Sequence, residues 1–172
     1  MSIAKTMGFI LIGVSLFAGC KNSNREPEAE ADVSMPRAAQ PKLRTVKLWL
    51  GPEEMTAEMA ITEEQVRTGM MFRTNIDENE GMIFVLPSAQ RAAFWMKNCF
   101  VPLSVAYISP DGVIQEIHPL EPQNTNSVVA ASDNIRFALE TKQGWFERHN
   151  VGPGAVIRTE RGSLMDTFVR GQ

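Results

Sequence analysis

The chain has 172 residues, with 17 basic and 20 acidic side chains and a formal charge of −3. That balance holds no basic stripe of the kind nucleic acid requires, which sets DNA and RNA aside as partners. Two cysteines, Cys20 and Cys99, cannot staple a disulfide scaffold, so the fold must rest on a hydrophobic core.

The opening MSIAKTMGFILIGVSLFAGC places Lys5 before an apolar run, Met7 to Phe17, and two small residues before Cys20. This is the grammar of an export signal, and the run is too short to span a membrane comfortably. FAGC resembles the lipobox of bacterial lipoproteins. The resemblance implies that residues 1–19 are a signal peptide removed before Cys20, and that Cys20 carries lipid. Membrane lipid is then the first partner, held firmly because each buried methylene adds about 0.8 kcal/mol. Lys21 stands where Asp would signal retention, so the implied place is the outer membrane, facing the periplasm. Residues 20–41 follow as the lipidated cysteine and a tether, polar and marked by Pro27, Pro36 and Pro41. Beyond Cys20 the tether holds three basic and four acidic residues, 3 minus 4 or a charge of −1, a poor electrostatic clamp on a bilayer.

Residues 42–172 have the length of one domain with a real core. TVKLWL (45–50) alternates as a strand until Gly51 and Pro52 interrupt it, and MTAEMAI gives a second strand ending at Ile61. Thr62, with Gln65 three residues on, predicts a capped helix start; Glu63 and Glu64 suit its positive end, and Gly69 can close it. GMIFVLP and RAAFWM read as strands about a turn near Pro87 and Ser88. VPLSVAYI and VIQEIH form a hairpin about SPDG (109–112). EPQNTNSVVAASDN is a polar excursion, IRFALE (135–140) returns to strand, GWFERHNVGPG allows one helical turn, and AVIR supplies a last strand. About eight short strands and one or two short helices, with no long crossover helix, predict a mainly β fold: a compact β sandwich or partly closed barrel. Phe84, Leu103, Val105 and Phe137 are expected in the core, with Ser104 on a wetter face.

TGMMFR (68–73), GMIFVL (81–86), FWMKN (94–98), VPLSV (101–105) and ALE (138–140) together resemble the DUF192 family, over residues 44–160. The resemblance implies a jelly-roll type of β sandwich and no established activity. The family usually reads MKNT and PLD where this chain has Cys99 and Ser104, so a role resting on that hydroxyl or carboxylate does not carry over.

The FWMKN stretch gathers chemistry. If extended, it sends Phe94 and Met96 to one side and Trp95 and Lys97 to the other. Trp95 either packs on a loop or walls a pocket. Asn98 shapes the turn toward Pro102. Lys97 lies on the side of Cys99 if the strand continues, and a nearby ammonium lowers a thiol pKa; yet neither His118 nor His149 is linked locally to Cys99. Glu116 and His118 share a strand face that Glu140 could approach, a sketch of a metal site that any hairpin can produce. Arg73 either pins its loop by pairing with Glu78 or Glu80, or offers a fork to a ligand carboxylate or phosphate. Glu140, if inward, needs a cation such as Arg73 or Lys97.

The expectation is a membrane-anchored, noncatalytic binding or envelope-associated module, with no metal and no cofactor. Its candidate ligand cleft contains Arg73, Trp95, Lys97, Asn98 and Glu140, and its partner is a small molecule or an envelope protein. The alternative is a small hydrolase or thiol enzyme using Cys99, with His118 or a carboxylate as base.

Overall fold

The computed structural model describes residues 35–170; Cys20, the signal peptide and residues 21–34 of the tether lie outside them. Strands β1 (Thr45–Leu50) and β2 (Glu53–Ala60) form a hairpin about Gly51 and Pro52, with Leu50 opposite Glu53. Helix α1 (Glu63–Thr68) follows. Its cap is reciprocal, as the sequence predicts: the Gln65 N–H donates to Thr62 Oγ1 at 3.2 Å, and the Thr62 N–H donates to Gln65 Oε1 at 3.1 Å. Gly69 ends the helix at φ 48°, its N–H donating to the Gln65 carbonyl. The Gln40 side-chain amide donates to the carbonyls of Gln65 and Gly69, so residues preceding β1 satisfy the open end of α1.

β3 (Glu80–Gln90) returns parallel to β2, the one parallel pairing in a sheet otherwise built antiparallel. No turn occurs at Pro87–Ser88. The strand runs on through them, and the ladder with β8 (Ile135–Lys142) slips between Val85 and Gln90, because a proline that cannot donate is accommodated at an irregularity. β4 is only Ala93–Phe94 and pairs with β7 (Val128–Val129), so the predicted strand RAAFWM shrinks and the polar excursion gains one. β5 (Leu103–Ile108) and β6 (Ile114–Leu120) form the predicted hairpin, in which the Gly112 N–H donates to the Ser109 carbonyl at 2.9 Å. α2 (Trp145–Arg148), β9 (Ile157–Thr159), β10 (Gly162–Ser163) and a π-helical turn (Asp166–Arg170) complete the described chain.

Eight strands make one sheet in the order β10-β9-β1-β2-β3-β8-β5-β6; β4 and β7 form a separate ribbon. The fold is mainly β and sandwich-like, with no closed barrel. The central strands β3, β8 and β5 are covered on both faces, which divides the core in two. Met82, Phe84, Leu103, Val105 and Tyr107 pack on one side with Met70, Met71 and Met96. Ile83, Val85, Ala106, Phe137 and Leu139 pack on the other with Trp145, Phe146 and Phe168. Phe84, Leu103, Val105 and Phe137 are fully buried as expected. Ser104 is buried too, against expectation: its face lies under α2, and its Oγ accepts the Gly144 N–H at 3.0 Å.

Gly81 allows β3 to approach β8. A Cβ there would sit 2.8 Å from the Glu140 carbonyl oxygen, a backbone atom that cannot step aside. Gly81→Ala is expected to destabilise the domain by about 1–3 kcal/mol in urea denaturation. Gly152→Ala, where nothing lies within 4 Å, is expected to leave stability unchanged or slightly raised. Equal midpoints for the two variants would contradict this account of the β3–β8 approach.

Candidate functional site

Between α1 with the loop that follows it, β3 and β4 lies a cavity of about 240 Å³. Val66, Met70, Met71, Phe84, Leu86 and Phe94 give it a largely apolar wall, closed on further sides by Trp95 and Cys99. Arg67, Gln90 and Ala93 also line it, and Glu140 forms its buried floor. Each group arrives for a local reason. The capped helix directs Val66 and Arg67 inward from its last turn, and Gly69, at positive φ, lets the chain pass the Phe84 ring at a distance where a Cβ would touch it at 3.3 Å. Alternation along β3 points Phe84 and Leu86 to the same side as Met82, and Met82 stands opposite Glu140 on β8.

Glu140 is where sequence and structure differ most usefully. It points inward, but neither Arg73 nor Lys97 reaches it, and among the described residues no donor bonds its carboxyl. Burial lifts its pKa from an ordinary 4.5 to about 8. It is therefore a neutral acid at neutral pH. Its field is felt by Cys99, whose thiol is pushed up to about 12, chiefly by burial and then by Glu140. Tyr107 is raised for the same reasons in the same order, and its hydroxyl donates to the Val128 carbonyl, tying β5 to β7.

The other expected cleft residues scatter. Trp95 does wall the cavity, half-exposed, with the Lys97 ammonium 5.4 Å from its ring centre. Lys97 and Asn98 lie outside the lining. The strand does not continue to Cys99: Asn98 adopts φ 59°, and the Cys99 N–H turns back to the Met96 carbonyl. This breaks the extended run that would have put Lys97 on the side of Cys99, and among the described residues no cation lowers the thiol's pKa. Arg73 is a structural pin, paired with Glu58 and not with Glu78 or Glu80. Both terminal nitrogens donate to the Glu58 carboxylate at 2.8 Å, and Glu58 also accepts the Leu43 N–H at 2.7 Å. Both side chains of the pair are largely buried.

The histidines are committed elsewhere. His118 Nε2 lies 2.7 Å from Glu116, whose other oxygen accepts the N–H of Ala131. His149 stacks on Trp145 at 4.3 Å and bonds Glu53 at 2.8 Å. The sketch of Glu116, His118 and Glu140 as ligands does not assemble: no group of three or more His, Cys, Asp or Glu residues among the described residues could hold a metal ion. Sequence reasoning passed over Glu58 and Arg67. Arg67 had one available signal, a cation on the last turn of a helix leading into GMMF.

Two consequences can be measured. Below about pH 4.5 the Glu140 carboxyl is protonated in folded and unfolded chains alike. As pH rises to about 8, the unfolded chain ionises it while the folded chain holds the proton, so stability falls by a few kcal/mol and then levels. Glu140→Gln should therefore unfold at a higher temperature than wild type near pH 8, with the gap closing toward pH 4.5; a gap constant with pH would refute the buried-acid assignment. Arg73→Ala leaves Glu58 charged, buried and unpaired, an expected loss of about 3–5 kcal/mol in chemical denaturation. Arg73→Lys, which keeps the charge without the fork, should fall between.

The chain matches the family model DUF192, described as an uncharacterised ACR family, over residues 46–159. No curated protein matches it. Among solved structures it is similar to a candidate transcription regulator from Sinorhizobium meliloti, at 25% identity and TM-score 0.66, over 70% of this chain and 97% of that one. It is also similar to a protein of unknown function from Novosphingobium aromaticivorans, at 28% identity and TM-score 0.64, over 70% of this chain and 91% of that one. The family match runs from β1 through β9, taking in the Arg73–Glu58 pin, the Trp95 wall and the Glu140 floor, and this chain belongs to the DUF192 family.

Proposed function

We propose that this protein is a lipid-anchored, noncatalytic binding module of the cell envelope that holds a small molecule in the cavity between Trp95 and Glu140. The observation that carries the reading is the unpartnered carboxyl of Glu140 at the base of a ready-made apolar cavity. A buried polar group without a partner is costly, and a ligand that supplies the missing hydrogen bond recovers that cost on binding. Anchoring rests on the order of Lys5, the apolar run and Cys20, and on Lys21 for the outer membrane facing the periplasm. Among the described residues no helix is long and apolar enough to cross a membrane.

Against thiol chemistry at Cys99 stands the lack of an activating partner among the described residues. Its neighbour of consequence is an acid, its pKa is raised, and both histidines are held by carboxylates. The name borne by the Sinorhizobium relative points toward gene regulation, but the formal charge of −3 and an exported anchor favour a ligand other than nucleic acid here.

The test is native mass spectrometry of protein recovered from envelope extract. Wild type should retain a bound small molecule. Ala93→Trp, which fills the cavity mouth from an exposed position, should lose it, and Lys97→Ala, outside the lining, should keep it. Equal retention by wild type and Ala93→Trp would remove this cavity as the binding site. In the same preparations Cys20→Ala should leave the membrane fraction or accumulate as full-length precursor; unchanged fractionation would defeat the anchor.

A further inference from the structure

Glu140 is not the one unpartnered polar group in the cavity. Arg67, on the last turn of α1, lines the same space; its Nε is buried with no hydrogen-bond partner, and its guanidinium makes no ion pair among the described residues. Two groups of opposite charge type therefore share one cavity without pairing. They differ in depth, since Glu140 is almost wholly buried and Arg67 half-buried. The lining they share is largely apolar, Val66, Met70, Phe84 and Leu86 among it, with Thr68 and Gln90 as its other polar side chains.

Resting on the binding reading above, we infer that the ligand is a small zwitterion with an apolar body, its ammonium seated on Glu140 and its carboxylate on Arg67. An amino acid is the simplest member of that class. Size agrees: about 240 Å³ has room for a ligand on the scale of one amino acid. Each end answers a need of the protein. An ammonium gives the buried carboxyl its strongest partner, and a carboxylate matches the guanidinium fork. The apolar body displaces water from the methionine, phenylalanine and leucine walls. A purely cationic ligand would face Arg67 uncompensated, and a purely anionic one would leave Glu140 as it is in the empty site.

The proton balance is explicit. In the empty site Glu140 holds a proton; on binding, the carboxyl releases it to solvent and the ligand ammonium pairs with the carboxylate. The titratable groups coupled to it are Cys99 and Tyr107, both neutral, so no neighbouring group stands ready to take that proton.

Calorimetric titration of the full chain with four probes that share one isobutyl group tests this. The probes are leucine, isoamylamine without the carboxylate, isocaproate without the ammonium, and isoamyl alcohol with neither charge. Leucine should bind tightest, with each of the others weaker by about tenfold or more. Glu140→Gln should weaken leucine and isoamylamine by about tenfold and leave isocaproate unchanged; Arg67→Gln should weaken leucine and isocaproate and spare isoamylamine. Leucine binding should release a proton, seen as an enthalpy that changes with the ionisation heat of the buffer, and Glu140→Gln should abolish that release. If isoamylamine, isocaproate or isoamyl alcohol equals leucine, the zwitterion inference is wrong while the cavity remains a binding site. If none of the four binds but envelope capture still depends on Ala93→Trp, the ligand class is wrong and the binding reading stands. If capture fails as well, both are wrong.

Discussion

Strand β8 lies between β3 and β5 and is covered on both faces, so the side chains of its central residues are withdrawn from water regardless of their chemistry. For Phe137, Ala138 and Leu139 this is the hydrophobic effect at work in an ordinary core. For Glu140 it is a penalty. The carboxyl sits where desolvation outweighs any compensation the protein offers, and burial in the same region is the chief cause that raises the thiol of Cys99 and the phenol of Tyr107, with Glu140 adding to both. Gly81 makes the placement possible by letting β3 close on β8 at this one residue.

Contrast with Glu58 shows that the fold can satisfy a buried carboxylate when it needs one for structure. Glu58 takes both nitrogens of Arg73 and the Leu43 N–H, so it fastens β2 to the loop after α1 and to the segment before β1. The same loop is clasped from its other side: Phe72, at φ 62°, donates its N–H to the carbonyl of Asn98, itself at φ 59°. A left-handed phenylalanine is a costly conformation, held because the two loops over-determine it. Together the pin and the clasp hold GMMF and FWMKN, the two stretches that wall the cavity, in fixed relation. Arg73 and Asn98 thus serve the site at one remove, as supports of its walls.

The local grammar was legible because local physics decides it. Thr62 and Gln65 cap a helix wherever they meet, SPDG turns a hairpin, and alternating apolar residues announce strands. Failures fell where long-range pairing overrode local preference. Pro87 reads as a break, yet β8 continues alongside and the strand absorbs the proline as an irregularity. FWMKN reads as extended, yet β4 finds β7 for only two residues before Asn98 reverses the chain. Trp95 and Glu140 could be named from sequence because each is conspicuous within a family motif. Arg67 could not, because a cation ending a helix is ordinary until its guanidinium is seen without a partner.

The departures from the usual family pattern fall on residues whose work can now be separated. Where the family usually carries Asp in PLD, Ser104 is buried and accepts the Gly144 N–H that opens α2. An Asp oxygen in that place is also an acceptor, so the exchange preserves the hydrogen bond while removing a charge from under the helix. The Thr-to-Cys departure differs in kind, because Cys99 lies in the cavity wall. A threonine hydroxyl there would be one more polar group beside Glu140, whereas a neutral thiol behaves as a small apolar surface and leaves the carboxyl more isolated. That isolation works against stability, and a leucine in place of Glu140 would relieve it. The one arrangement in which an isolated carboxyl lowers the free energy of the protein is the one in which something outside the chain supplies its partner.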